Sequence, residues 1–219
     1  MTGVQTCALP IFIAGARAIR EGVADIVIAG GVESMSRAPY VMAKAETAFS
    51  RDVGIFDTTI GWRFANPRIV AGYGEDTMPE TAENVAAEQQ ITRADQDAYA
   101  LRSQQRYDAA WHAADILPVT VPGKKGDTVV ATDEHPRTTT AEKLAALPAP
   151  FRKGGSITAG NASGINDGAA GVILASERAV KRHGLTPLAR IGQAAIGGIA
   201  PRIMGLGPVE ALARLETRT

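Results

Sequence analysis

The feature that most constrains this chain is a helix–strand alternation that stops near residue 34 and returns near residue 168. Residues 13–20 are rich in Ala and are followed by Gly22, a stop signal for a helix. Residues 24–29 read ADIVIA, a compact apolar run with β-branched members, closed by Gly30 and Gly31. A run of that length suits a buried strand. After the interruption, residues 168–175 (GAAGVILA) read as a small-residue strand. Residues 176–183 read as a helix closed by Gly184, residues 188–196 as a further strand, and residues 209–215 as a helix after Pro208. This order implies an α/β domain whose sheet is mostly parallel with helices on both faces.

The interruption has its own character. Residues 34–74 hold Trp62, several Phe and Tyr, and scattered Pro and Gly, without a strong period. Thr77, Pro79 and Glu80 then mark a helix start with a capping box. Thr92 opens a longer helix expected to reach residue 114, with Asp95 near its positive end. Residues 118–132 suit a strand pair turning at 123–126, and residues 141–146 a short helix. The expected organisation is therefore a core domain that starts in 1–34 and continues in 156–219, with a loop domain inserted at 35–155.

Bulk properties narrow the function. The 219 residues are 45% apolar and 21% charged, enough to bury a core. Lys and Arg number 23, as do Asp and Glu, so no basic excess calls for a nucleic-acid partner. No apolar run has the length of a membrane span, and the N-terminus lacks the charged region and apolar core of a signal peptide. A single cysteine rules out an internal disulfide and suits the cytoplasm.

Four ordered segments carry a family resemblance: Ala29-Gly-Gly-Val-Glu-Ser-Met-Ser36, Met78-Pro-Glu-Thr-Ala-Glu-Asn84, the run TAGNASGINDGAA from Thr158 to Ala170, and Pro201-Arg-Ile-Met-Gly-Leu-Gly-Pro208. With their order and spacing, the chain resembles a thiolase over residues 12–215, specifically the N-terminal half of one. A finer likeness lies in Phe56-Asp-Thr-Thr-Ile-Gly-Trp-Arg-Phe64 and Asn66-Pro67. These are similar to thiolases of aromatic-compound breakdown, which cleave 3-oxoadipyl-CoA to succinyl-CoA and acetyl-CoA. Met78-Pro79-Glu80 fits that branch; Thr77 stands where short-chain biosynthetic relatives tend to carry His.

The resemblance implies coenzyme A as a substrate, no prosthetic group, no metal, acyl-CoA esters as small-molecule partners, and a homodimer or homotetramer for the parent enzyme. It also implies binding residues. Ala159, Ser163 and Gly164 would line the path of the pantetheine arm, where small residues let the backbone come close. Phe151 would pack near CoA, Met78 near the acyl group, and Arg137 near the nucleotide end, where a planar guanidinium can pair and stack. Each also has a plainer reading. The glycine-rich run can be a strand-entry turn, Met78 and Phe151 can be core, and Arg137 a solvated surface residue.

The residues of the family's chemistry are harder to place. Thiolases use a nucleophilic cysteine in Cys-x-Ser-Gly at a helix start, where the dipole lowers the thiol pKa. A second cysteine moves the proton, and a His in Gly-His-Pro activates the nucleophile. Here Cys7 stands in Thr6-Cys7-Ala8-Leu9-Pro10, and an ungapped alignment puts the nucleophile position on Gln5. Cys7 is therefore a doubtful candidate, and residues 1–11 are expected to be foreign to the family. His112, His135 and His183 occur in no matching motif. The chain alone is expected to be inactive. A non-catalytic protein binding CoA esters or lipids on a thiolase-like scaffold is the alternative.

Overall fold

The computed structural model describes the backbone of residues 3–217 and the side chains of residues 10–217. In chain order the elements are α1 (Gly3–Arg20), β1 (Ile26–Ser34), β2 (Tyr40–Met42), β3 (Ile55–Asp57), α2 (Pro67–Tyr73), α3 (Met78–Glu88) and α4 (Arg93–Gln105). They continue as α5 (Ala109–Ala113), β4 (Val119–Val121), β5 (Thr128–Val130), α6 (Ala141–Ala145), β6 (Asp167–Ala175), α7 (Glu177–His183) and α8 (Gly207–Glu216). The chain divides into two units, Met1–Thr81 with Ile165–Thr219, and Ala82–Gly164. The second unit overlaps the expected insertion over residues 82–155.

In the first unit β1 and β6 form a nine-residue ladder in which Ile28 faces Ile173 and Gly30 faces Gly171. At that crossing a Cβ on Gly30 would lie 2.6 Å from the Ala170 carbonyl oxygen, so only glycine allows the strands to meet there. Helix α1 covers the face that holds Ala29 and Leu174, both about 5% exposed. Gly15 makes the contact possible, because a Cβ there would sit 2.9 Å from Leu174 Cδ1 and 3.1 Å from Val27 Cγ1. Both ends of the ladder are fastened by side chains. Ser36 donates its backbone N–H to Asp167 Oδ1 at 2.8 Å and its hydroxyl to Asp167 Oδ2. These hydrogen bonds, the hydroxyl's first, hold the Asp167 carboxyl below the usual carboxylate range. At the other end Asp25 accepts from Ser176 Oγ at 2.8 Å and pairs with Arg178 at 2.7 Å.

The expected mostly parallel pairing is corrected here. All three ladders among the described residues, β1–β6, β2–β3 and β4–β5, are antiparallel. Two of them are hairpin-like pairs of consecutive strands, for which antiparallel pairing needs no crossover helix. A second correction concerns residues 188–196, which form no strand. Leu188 is fully exposed, and the Ile191 and Gly192 carbonyls accept instead from Arg20. β1 and β6 pair only with each other, and residues 188–196 join neither strand.

In the second unit the helix that opens at Thr92 ends at Gln105 rather than at residue 114. Thr92 and Asp95 cap each other's backbone N–H groups as expected. Asp108 takes an extended conformation and accepts from the Ala110 and Trp111 N–H groups, so it starts a new helix, α5. The strand pair at 118–132 and the helix at 141–146 form close to where the sequence placed them. α6 packs on α4 through Leu144, which is 4% exposed.

Candidate functional site

Three of the six expected binding residues, Ala159, Ser163 and Gly164, lie on one irregular loop that runs from Ser156 to β6. The loop is held by buried polar side chains of α3 and α4. Glu83, only 4% exposed, accepts from Ser156 N at 2.8 and 3.0 Å, from Ser156 Oγ at 3.1 Å and from Ile157 N at 2.8 Å. Gln96 Nε2 donates to the same Ser156 hydroxyl at 2.9 Å. Asn161 folds back on the loop: its Oδ1 accepts from Thr158 N at 2.8 Å, and its Nδ2 donates to Ser156 O at 3.0 Å. The same amide reaches Asp97 Oδ1 at 3.1 Å. Asp97 is in turn paired with Arg93 at 2.7 Å, and Arg93 also donates to the Leu144 and Leu147 carbonyls.

Thr158 sits at the centre of the loop with no exposed surface. Its Oγ1 accepts from Gly160 N at 3.1 Å, and its carbonyl accepts from the N–H groups of Asn161 and Ala162. Gly160 allows the loop to rest on α6, because a Cβ there would meet Leu144 Cδ2 and Leu147 Cδ1 at 2.6 Å. The count of donors has a plain consequence. Between Gly155 and Gly164, only the N–H groups of Ala159, Ser163 and Gly164 have no protein acceptor among the described hydrogen bonds. All three residues are exposed. The loop therefore offers backbone donors and a serine hydroxyl to an outside acceptor, while its remaining amides are satisfied within the protein.

The other expected residues fall elsewhere. Phe151 precedes this loop in the same unit and is 41% exposed, so it is not core. Arg137 lies in an irregular stretch whose register is fixed by its own N–H donating to Gln104 Oε1 at 2.8 Å. Its exposed guanidinium has no partner among the described residues. Met78 opens α3 in the first unit and is 42% exposed. Its start is capped as expected: Thr77 N and Oγ1 both donate to Glu80 Oε2 at 2.8 Å. Cys7 falls on helix α1, and its side chain lies outside the described residues. His112 stacks on Tyr107 with ring centroids 4.8 Å apart. Burial, with Asp133 beside it, pushes the Tyr107 hydroxyl above its ordinary pKa.

Glu83, Asp97 and Asn161 were not singled out from sequence. Glu83 and Asn161 do stand inside two of the resembling segments, and the i,i+4 spacing of Arg93 and Asp97 on α4 was a visible signal for an ion pair.

The chain belongs to the thiolase family: the family described as thiolase, N-terminal domain, matches residues 6–178. Among curated relatives it is similar to the beta-ketoadipyl-CoA thiolase of Pseudomonas aeruginosa, 58% identical over 207 residues, 92% of this chain and 52% of that protein. It is 57% identical to the 3-oxoadipyl-CoA/3-oxo-5,6-dehydrosuberyl-CoA thiolase of Escherichia coli, over 93% of this chain and 52% of that protein. The crystal structure of human mitochondrial 3-ketoacyl-CoA thiolase superposes with a TM-score of 0.81 at 41% identity, covering 96% of this chain and 54% of that one. The thiolase-like fold expected from sequence is thus met, with the antiparallel pairings noted above. The chain spans about half the length of these relatives. The matched family region begins at residue 6 and so takes in Cys7. No helix among the described residues is long and apolar enough to cross a membrane.

Proposed function

We propose that these residues serve an acyl-CoA C-acyltransferase that cleaves a 3-oxoacyl-CoA with coenzyme A. The substrate best supported is 3-oxoadipyl-CoA, which with CoA gives succinyl-CoA and acetyl-CoA. The relatives' names and the segment from Phe56 to Pro67 support that choice. The single observation that carries the role of this chain is the loop with free donors at Ala159, Ser163 and Gly164. A pantetheine arm is thin and carries two amides, so its carbonyls suit such donors. Phe151 and Arg137, exposed in the same unit, would meet the outer part of CoA, and Met78 the acyl group.

Within this reading Cys7 is not the nucleophile; the expectation that residues 1–11 are foreign is corrected for residues 6–11, which lie inside the family match. The chain by itself then gives no turnover of 3-oxoadipyl-CoA. Cytoplasmic location and assembly as a homodimer or homotetramer belong to the same proposal, the latter testable by sedimentation. The comparisons lend the non-catalytic alternative no support. The test is calorimetric titration of CoA into the chain. Saturable binding that 3-oxoadipyl-CoA competes away is expected; absence of binding at millimolar CoA would overturn the assignment of the loop.

A further inference from the structure

We propose that Glu83 is a positioning residue for CoA: its buried carboxylate sets the shape of the loop that leaves Ala159, Ser163 and Gly164 free to donate. The inference rests on the functional reading above.

Two consecutive backbone N–H groups, of Ser156 and Ile157, aim at one carboxylate, and the Ser156 hydroxyl adds a further bond. Neighbouring amides in an extended strand point to opposite sides, so this convergence bends the chain at the loop's entry. Glycine is required just before the bend, because a Cβ on Gly155 would lie 2.3 Å from Glu83 Oε1. Downstream, Asn161 and Thr158 close the loop on itself and use up the amides of residues 158 and 160–162. Ser156 joins the two halves, since its hydroxyl and N–H hold Glu83 while its carbonyl holds Asn161. Release of Ser156 therefore loosens the Asn161 anchor as well. The loop then gains alternative closures in which Ala159, Ser163 or Gly164 donate inward.

Both oxygens of the carboxylate accept: the Ser156 and Ile157 N–H groups reach Oε1 at 2.8 Å, and the Ser156 N–H and hydroxyl reach Oε2 at 3.0 and 3.1 Å. An amide with its oxygen at the first position turns an NH2 group toward the Ser156 N–H and hydroxyl at the second. The effect on ligand is local to the pantetheine arm, because Glu83 touches no part of the segment that carries Arg137.

The test compares the full chain with Glu83→Gln and with Gly155→Ala, using CoA, 4′-phosphopantetheine and 3′,5′-ADP as separate calorimetric probes, with thermal unfolding alongside. Both variants should bind CoA and 4′-phosphopantetheine at least about tenfold more weakly while 3′,5′-ADP binding stays as in the wild type. Unchanged 4′-phosphopantetheine affinity in Glu83→Gln would overturn the inference and leave the functional reading standing. Equal weakening of both fragments would also overturn it, since that is the mark of a general loss of structure. If the wild type binds none of the probes, the functional reading fails. Amide exchange at residues 158–162, which Glu83 does not touch, then decides the loop's dependence. Faster exchange confined to those residues in Glu83→Gln upholds it, and unchanged exchange refutes it.

Discussion

Replacing Asp97 by Ala tests the buried polar frame directly. Asp97 is 6% exposed and accepts from Arg93 Nε at 2.7 Å and from Asn161 Nδ2 at 3.1 Å. Removal takes one acceptor from the charged Arg93 and one from the Asn161 amide, which keeps Ser156 O at 3.0 Å. Breaking a fully buried ion pair costs about 3–5 kcal/mol. Arg93 is not fully buried, at 27% side-chain exposure, and keeps the Leu144 and Leu147 carbonyls at 2.7 and 3.1 Å. The lower end therefore applies, and adding the Asn161 bond at about 0.5–1.5 kcal/mol gives a loss of roughly 3.5–4.5 kcal/mol. For a chain of this size each kcal/mol moves the midpoint by about 2–4 °C, so a fall of roughly 7–18 °C is expected. The assay is thermal and urea unfolding followed by tryptophan fluorescence in a Trp62→Phe background. That leaves Trp111, which lies in the same unit as Asp97, as the reporter. Glu134→Ala, at an exposed position, is the control. A loss below about 0.5 kcal/mol, the scale of an ordinary surface substitution, would refute the view that this network holds the unit together.

Further outcomes follow from other contacts. Thr158→Val keeps the shape but removes the acceptor of Gly160 N–H, and should cost about 1–3 kcal/mol in urea unfolding. Gly184→Ala forces a side chain into a left-handed position, φ 61°, at the end of α7, and should cost about 1 kcal/mol by the same measurement. Arg178→Met tests a pH dependence. The hydrogen bond from Arg178, then that from Ser176, lowers the Asp25 carboxyl below its ordinary 3.8. A folded pKa below the unfolded one means the stabilisation is fully present above the unfolded value and is lost as pH falls through the folded value. The wild type should therefore melt above Arg178→Met at pH 6, and the gap should narrow as pH falls below 3.8; a constant gap would contradict the assignment.

Much of the local structure was legible in the sequence because its signals act within one turn of chain. Thr77 with Glu80, Thr92 with Asp95, and Gly184 sit where a side chain or a left-handed glycine meets backbone three or four residues away. The family, too, was readable from ordered segments alone, and the relatives agree with it. The break between α4 and α5 was missed although Asp108 is an able cap, because an Ala-rich, helix-favouring run follows at once in residues 109–114.

What the tertiary structure decided is everything that needs a distant partner. An apolar run at 188–196 reads as a strand, yet a strand exists only where its backbone pairs with a neighbour, and here the Ile191 and Gly192 carbonyls accept from the Arg20 side chain instead. The antiparallel pairing of β1 with β6 is set across more than a hundred residues of intervening chain. The candidate site follows the same rule. The sequence named Ala159, Ser163 and Gly164 but could not say why those three would be free to bind. That depends on Glu83, some seventy residues earlier, taking up Ser156 and Ile157, and on Thr158 and Asn161, the latter anchored by Asp97, taking up the rest. A buried carboxylate and the amides it satisfies leave no periodic trace in sequence, because the force that joins them acts only once folding has excluded water from between them.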